Sequence, residues 1–252
     1  MLNKADFYYF SPTGGTKKAG FLLAEAVAKE VNEINLCTAQ PITEGICDTA
    51  IIAAPVFGGR IPSVVSKAVK AMNGSKKTVI TMVVYGVRAY DDALLELNDA
   101  VTEAGFQIAA SAAVIAQHSV VPIVGAGRPD EKDAAEIRAF AADVLKKLEG
   151  GMFSPITVPG NRPYMPEMNL PVSPICLPSC GGCGKCIKVC PVNAITKEND
   201  VITTDAQKCI LCMACTAVCP AHARLLPPPV QESMNEKLGA LKDVRRGNEF
   251  FI

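Results

Sequence analysis

Eight of the chain's eleven cysteines fall into two blocks with one internal spacing. Cys180, Cys183, Cys186 and Cys190 precede Pro191; 29 positions later Cys209, Cys212, Cys215 and Cys219 precede Pro220. Both blocks read C-x2-C-x2-C-x3-C-P. A tight C-x2-C-x2-C loop offers three thiolates to one iron–sulfur cluster, and the cysteine before proline serves the other cluster of a pair. The spacing therefore predicts two [4Fe–4S] cubes. One is expected on Cys180, Cys183, Cys186 and Cys219, the second on Cys209, Cys212, Cys215 and Cys190. Gly181, Gly182 and Gly184 let the first loop's backbone approach its cluster. Pro191 and Pro220 end local structure after each last ligand.

Competing uses of cysteine fit less well. A disulfide scaffold needs an oxidising compartment, and the N-terminal MLNKAD lacks the charged-then-apolar build of a secretory signal. Zinc ribbons use four ligands in paired C-x2-C, not two triplets each followed by a lone Cys-Pro. Cys37, Cys47 and Cys176 read as small core or loop hydrophobes. Cys176, four residues ahead of Cys180, is a lesser candidate ligand. A formal net charge of zero argues against nucleic-acid binding. No apolar run reaches the roughly 18–20 residues of a membrane span. The expectation is a cytoplasmic protein in an anaerobic setting, since exposed cubes are oxygen-sensitive.

At 252 residues the chain can carry more than one domain. Residues 1–150 alternate strand-like apolar runs with amphipathic stretches, the pattern of a parallel α/β sheet. Strands are expected at 7–10, 34–37, 50–55, 78–85 and 106–115. Helices are expected at 16–31, 62–72, 91–104 and 129–148, the last with Pro129 in its first turn. Five strands in this register predict a doubly wound parallel sheet of order 2-1-3-4-5. Residues 151–179 form a linker with a proline every three to five positions, which favours extended chain. Met152, Phe153, Tyr164, Met165 and Leu170 should lay that linker against the domains. Residues 180–224 form a small α+β cluster domain, and 225–252 a tail with one helix near 231–244 and no assigned role.

Ser11, Pro12, Thr13, Gly14, Gly15 and Thr16 follow the first strand and open a helix. Hydroxyls, glycines and a helix N-terminus make an anion site. The spacing is neither a Walker loop nor a dinucleotide fingerprint; it resembles the S/T-x-T-G-x-T phosphate loop of flavodoxins. Pro55, Val56, Phe57, Gly58 and Gly59 follow the third strand, and Tyr85, Gly86, Arg88, Tyr90 and Asp91 the fourth. All lie at carboxyl ends of strands, where open α/β sheets bind ligands. With no tryptophan in the chain, ring stacking falls to Tyr90, Tyr85 or Phe57.

Taken together, the chain resembles the family of flavodoxin–ferredoxin fusions. The resemblance covers most of the sequence through SPTGGT at 11–16, APVFGGRIP at 54–62, YGVRAYDDALLEL at 85–97, QHS at 117–119, GRPD at 127–130, GNRPY at 160–164 and both cysteine blocks. It implies FMN, two [4Fe–4S] clusters and electron transfer, with a redox partner protein or a small-molecule electron acceptor. An alternative is an FMN-dependent reductase of a small organic substrate, fed by its own clusters. His118 is then the candidate proton donor, although a loop hydrogen bond is its commoner use. Arg60 and Arg88 are candidates either for charge near the flavin or for ion pairs. His222 reads as incidental.

Overall fold

The structure is a computed structural model and describes every residue except 38–44, 76, 152 and 169. Met152 of the expected linker thus lies outside the described residues. Strands β1 (Leu2–Tyr9), β2 (Ala28–Asn35), β3 (Thr49–Pro55), β4 (Thr78–Tyr85) and β5 (Gln107–Ile115) pair in parallel in the order 2-1-3-4-5. β3 and β4 are buried along almost their whole length, as central parallel strands require. Helices α1 (Gly15–Val27) and α4 (Glu131–Gly150) cover one face, over Phe7, Leu23, Ile51 and Ile137. Helices α2 (Ser63–Lys70) and α3 (Ala93–Glu103) cover the other, over Phe10, Ile52, Val65 and Leu97.

Three expectations need correction. The first helix stops at Val27 and passes directly into β2 at Ala28, with no loop between. AKEV is locally a good helix sequence, but Leu2 to Asp6 of β1 offer an open parallel edge, and the pairing of Ala28 with Leu2 outweighs propensity. Pro129 precedes α4 rather than opening it. Asp130 is the N-cap, accepting from the amides of Lys132 and Asp133, and the Asp133 carboxylate in turn accepts from the Asp130 amide at 2.9 Å. The sheet, finally, has six strands rather than five. The tail supplies β10 (Glu249–Phe251), antiparallel to β5, and so covers an edge otherwise open to other chains.

After α4 the proline-rich segment runs along the first domain. The Asp92 carboxylate accepts from the amides of Asn161 at 2.8 Å and Met165 at 2.7 Å. Burial pushes that carboxyl up, but those two bonds and the Arg60 charge outweigh it and hold it below the usual range. Arg162 and Tyr164 both bind Asp99 on α3. The cysteine-rich part consists of short elements. They are β6 (Ile175–Cys176), α5 (Lys185–Lys188), β7 (Ile195–Glu198), β8 (Val201–Thr204), α6 (Ala214–Ala217) and β9 (Arg224–Leu225). β6 pairs with β9 and β7 with β8, both antiparallel. Helix α7 (Pro228–Gly239) follows, three residues earlier than the sequence pattern placed its start, because Pro228 suits a first turn.

Candidate functional site

Two adjoining cavities open at the carboxyl ends of β1, β3, β4 and β5. The first, of about 60 Å³, is lined by Thr13, Gly15, Thr16, Pro55, Val56 and Phe57 on one side. Tyr85, Gly86, His118 and, from the cluster module, Cys212 complete it. The second, of about 180 Å³, shares Val56, Phe57, Tyr85, Gly86 and His118 and adds Gly58, Gly59 and Arg88. Its apolar cover is Met168 of the linker, Leu211 and Leu226, and Val230, Met234 and Leu238 of α7.

The phosphate-type loop is shaped for an anion bound by amides and hydroxyls. Gly14 has φ +91°, a conformation that favours glycine, and caps α1. Ser11 Oγ accepts from the Lys17 amide at 2.8 Å, which pins the loop to the helix. The neighbouring cations are turned elsewhere: Lys18 Nζ bonds Pro129 O at 2.7 Å, and Lys17 pairs with Glu33. Thr13 and Gly14 are exposed, while Thr16 is buried.

Gly86 fixes how the second loop meets the fifth strand's loop. A Cβ there would stand 2.5 Å from His118 Cδ2, so only glycine lets the imidazole lie against this backbone. His118 Nδ1 accepts from the amides of Val120 and Val121 at 3.2 and 3.0 Å, placing the ring proton on Nε2. Burial lowers the His118 pKa, so the imidazole is neutral at neutral pH.

Tyr90 and Asp91 do not line either cavity. Tyr90 is 6% exposed, meets Tyr85 edge-on at 5.3 Å and donates to Glu249 of β10 at 2.8 Å. Burial and that carboxylate push its phenol up. Asp91 forms an ion pair with Arg88. Arg60 is held by a two-point bond to Glu96 at 2.7 and 2.8 Å and lies over the Tyr164 ring. Of the three stacking candidates, Tyr85 and Phe57 reach the cavities.

The eight motif cysteines are free thiols, as are Cys37, Cys47 and Cys176. Cys190, Cys209, Cys212 and Cys215, the second expected set, all line one small apolar cavity of about 20 Å³ with Ile195, Ile210 and Met213. Amides already point at sulfur there: Ala194 N donates to Cys190 Sγ at 3.2 Å, and the Leu211 and Ala214 amides donate to Cys209 and Cys212. Burial pushes the Cys212 thiol up to about 12, against the pull of the Ala214 amide. Such a donor set, four thiols and inward N–H groups in an apolar shell, fits a cube. Among the described residues no trio of Cys, His, Asp or Glu stands at single-ion spacing. A cube spreads its ligands wider than one ion does.

The first set is less gathered. Cys186 is buried with Ile195, Ile202 and Cys215, and Cys180 packs against that group. Cys183 is exposed and Cys219 half-buried, both outside it.

Comparison with known proteins settles what this module is. The family described as 4Fe-4S dicluster domain matches residues 179–234. A ferredoxin of Chlorobaculum thiosulfatiphilum is 42% identical over 49 residues, 17% of this chain and 80% of that protein. The chain belongs to the ferredoxin family. With the 2-1-3-4-5 sheet ahead of the ferredoxin module, it is a fusion of a flavodoxin-like fold with a ferredoxin module. Longer relatives match in part. The thiosulfate reductase electron transfer protein PhsB of Salmonella typhi is 32% identical over 121 residues, 46% of this chain and 62% of that one. One component of an ion-translocating oxidoreductase complex of Methanosarcina acetivorans is 42% identical over 52 residues, 21% of this chain. The fusion spans only 20% of that component's length. A solved flavodoxin from the domain Archaea aligns with 58% of this chain and 99% of its own, at 14% identity and TM-score 0.40. The strand order itself, not that alignment, carries the fold. Among the described residues no helix is long and apolar enough to cross a membrane.

Sequence reasoning passed over Leu211, Met168 and the α7 residues that roof the second cavity. The apolar spacing of Val230, Met234 and Leu238, four residues apart, was a readable helical stripe. What it would cover was not readable.

Proposed function

We propose that the fusion is an electron-transfer iron–sulfur flavoprotein that passes electrons between two [4Fe–4S] clusters and FMN. The observation that carries this reading is Cys212, a ligand of the second cube, lining the same cavity as Thr13, Thr16, Tyr85 and His118. Ile210 and Cys212 also pack against the core of the flavodoxin-like sheet. The flavin would supply storage for one or two electrons, and the cubes single-electron exchange. The residues that would hold FMN are the 11–16 loop for its phosphate and Phe57, Gly58, Gly59, Tyr85 and Gly86 for its ring. Cys183, exposed beside exposed Lys185, marks the side facing a redox partner.

Anaerobic reconstitution followed by iron, sulfide and flavin assay tests the proposal. About eight irons and one FMN per chain are expected for two cubes and one flavin site. Fewer than two cubes, or no bound FMN, overturns it.

The roofed cavity favours a second reading, an FMN-dependent reductase of a small organic molecule. His118 Nε2–H, with Nδ1 held by the two amides, would donate a hydrogen bond to a substrate oxygen in that space. Turnover that collapses in H118A while flavin stays bound supports this reading; unchanged turnover removes His118 from it.

A further inference from the structure

The two halves of the ferredoxin module repeat at 29 positions, and this register sets Arg224 where the first half has Ile195. Each is 4% exposed, so one half buries a hydrocarbon and the other a cation at the same place. A guanidinium is far harder to remove from water than an isoleucine side chain, so what surrounds it matters.

Arg224 Nη1 donates to Cys176 Sγ at 3.2 Å. Nη2 donates to Thr204 Oγ1 at 2.7 Å and, at the longer distance of 3.8 Å, to Cys215 Sγ. Nε is buried and has no partner among the described residues. No carboxylate forms an ion pair with Arg224 among the described residues either. Cys176 faces it across the β6–β9 pair and is itself hydrogen-bonded to Cys180. The Arg224 charge also reaches Cys186 and Cys209. Thus the guanidinium touches Cys215, an expected ligand of the second cube, and reaches Cys180, an expected ligand of the first, through Cys176.

We propose that Arg224 is a positioning residue that sets the reduction potentials of the two cubes, holding a positive charge that no carboxylate pairs with close to cysteines of both. Each cube takes up one electron on reduction and forms no new bond. A fixed cation nearby favours the more negative, reduced state, and an N–H donated to ligand sulfur acts in the same direction. Arg224 therefore raises both potentials and eases the repulsion between two reduced cubes. The inference rests on the two-cube reading above.

Its test is an anaerobic dithionite titration of the full reconstituted chain, read by EPR, with iron and sulfide assayed on each sample. In R224Q, with iron content unchanged, the one-electron reduction equilibrium should weaken about tenfold, a midpoint lower by about 59 mV. R224K, which keeps a charge but not the fork, should fall between R224Q and wild type. Wild-type midpoints in an R224Q protein with full iron overturn the inference. Should R224Q fail to assemble its cubes, R224K decides: lowered midpoints support the role, and unchanged midpoints, or a second failure to assemble, leave Arg224 a structural residue only. Wild-type chain lacking two cubes would instead sink the proposed function, a result distinguishable at the iron assay.

Discussion

Two loops of the same motif have been put to different physical use. In the first, Gly182 and Gly184 take φ +64° and +72°, and Cys183 and Lys185 are exposed. In the second, the equivalent positions are Leu211 and Met213, at φ +53° and +63°. Side chains with a Cβ are held in the left-handed region at roughly 1–2 kcal/mol each. Both are buried, Leu211 at 9% and Met213 at 6% exposure, in a cluster with Leu226, Val120 and Val230. The second loop accepts backbone strain that the first avoids, and in return seals itself onto the flavodoxin-like domain. His222 finds its reason here too: at φ +48° it repeats Asn193 at φ +51°, a conformation in which both residue types are enriched. The duplicated motif thus gives two loops of like chemistry, of which the fold buries one against the flavodoxin-like sheet and turns the other outward.

The strongest challenge to this asymmetry is to remove one ligand from each loop. C212A and C183A should each cost about half of the cluster iron, since a cube with three thiolates is poorly held. Their effects on the flavin should diverge. C212A breaks the wall of the cavity proposed for FMN and should weaken FMN binding as well, whereas C183A should leave flavin content at the wild-type level. Iron assay and flavin fluorescence on the same samples decide it, and equal flavin loss in both variants would erase the distinction between an inner and an outer centre.

A smaller effect separates strain from packing. L211G relieves the left-handed penalty but empties a buried site, and cavity costs for leucine of about 2–5 kcal/mol exceed the relief. The expected net loss is about 1–3 kcal/mol, with faster flavin release. G184A meets nothing nearer than Ile187 Cδ1 at 4.0 Å, so it should cost only the backbone strain, about 1–2 kcal/mol, and leave flavin release unchanged. Denaturant unfolding of the holoprotein alongside flavin off-rates tests both. A neutral L211G would mean that its side chain does not seal the cavity.

The sequence carried the sheet order because β3, β4 and β5 are continuous apolar runs bounded by turn residues, a local signal. It missed the start of β2, where Ala28 to Val31 read as helix and only the distant β1 edge makes them a strand. The Ser11–Thr16 loop and the cysteine blocks are legible as candidates because each chemistry is concentrated in a few consecutive positions. Tyr90 is a candidate that lines neither cavity, for the opposite reason. Its loop position was legible, but its phenol is taken by Glu249, 159 residues away, on a strand that short tail segments do not announce. Arg224 carried a signal that was available: once the blocks are aligned at 29 positions, a lone arginine replaces isoleucine. That it is buried between sulfurs is tertiary information.

The mildest effect tests the flavin side of the comparison through pH. His118 has a pKa below 6.5 because burial disfavours its charged form, while in the unfolded chain it titrates near 6.5. Below 6.5 the unfolded chain therefore binds more protons than the folded one, and stability falls as pH drops toward the lowered folded value. The depressed carboxylates Asp92, Asp99 and Asp133 lose their contribution only below the ordinary 3.8, so they do not overlap this window. H118Q keeps an acceptor for the Val120 and Val121 amides but has no proton to gain. Thermal unfolding of the holoprotein from pH 7 to 5 should show wild type losing more stability than H118Q. Parallel curves for the two proteins would mean that the imidazole is as free to charge as in water, and that the apolar roof of α7 does not close over it.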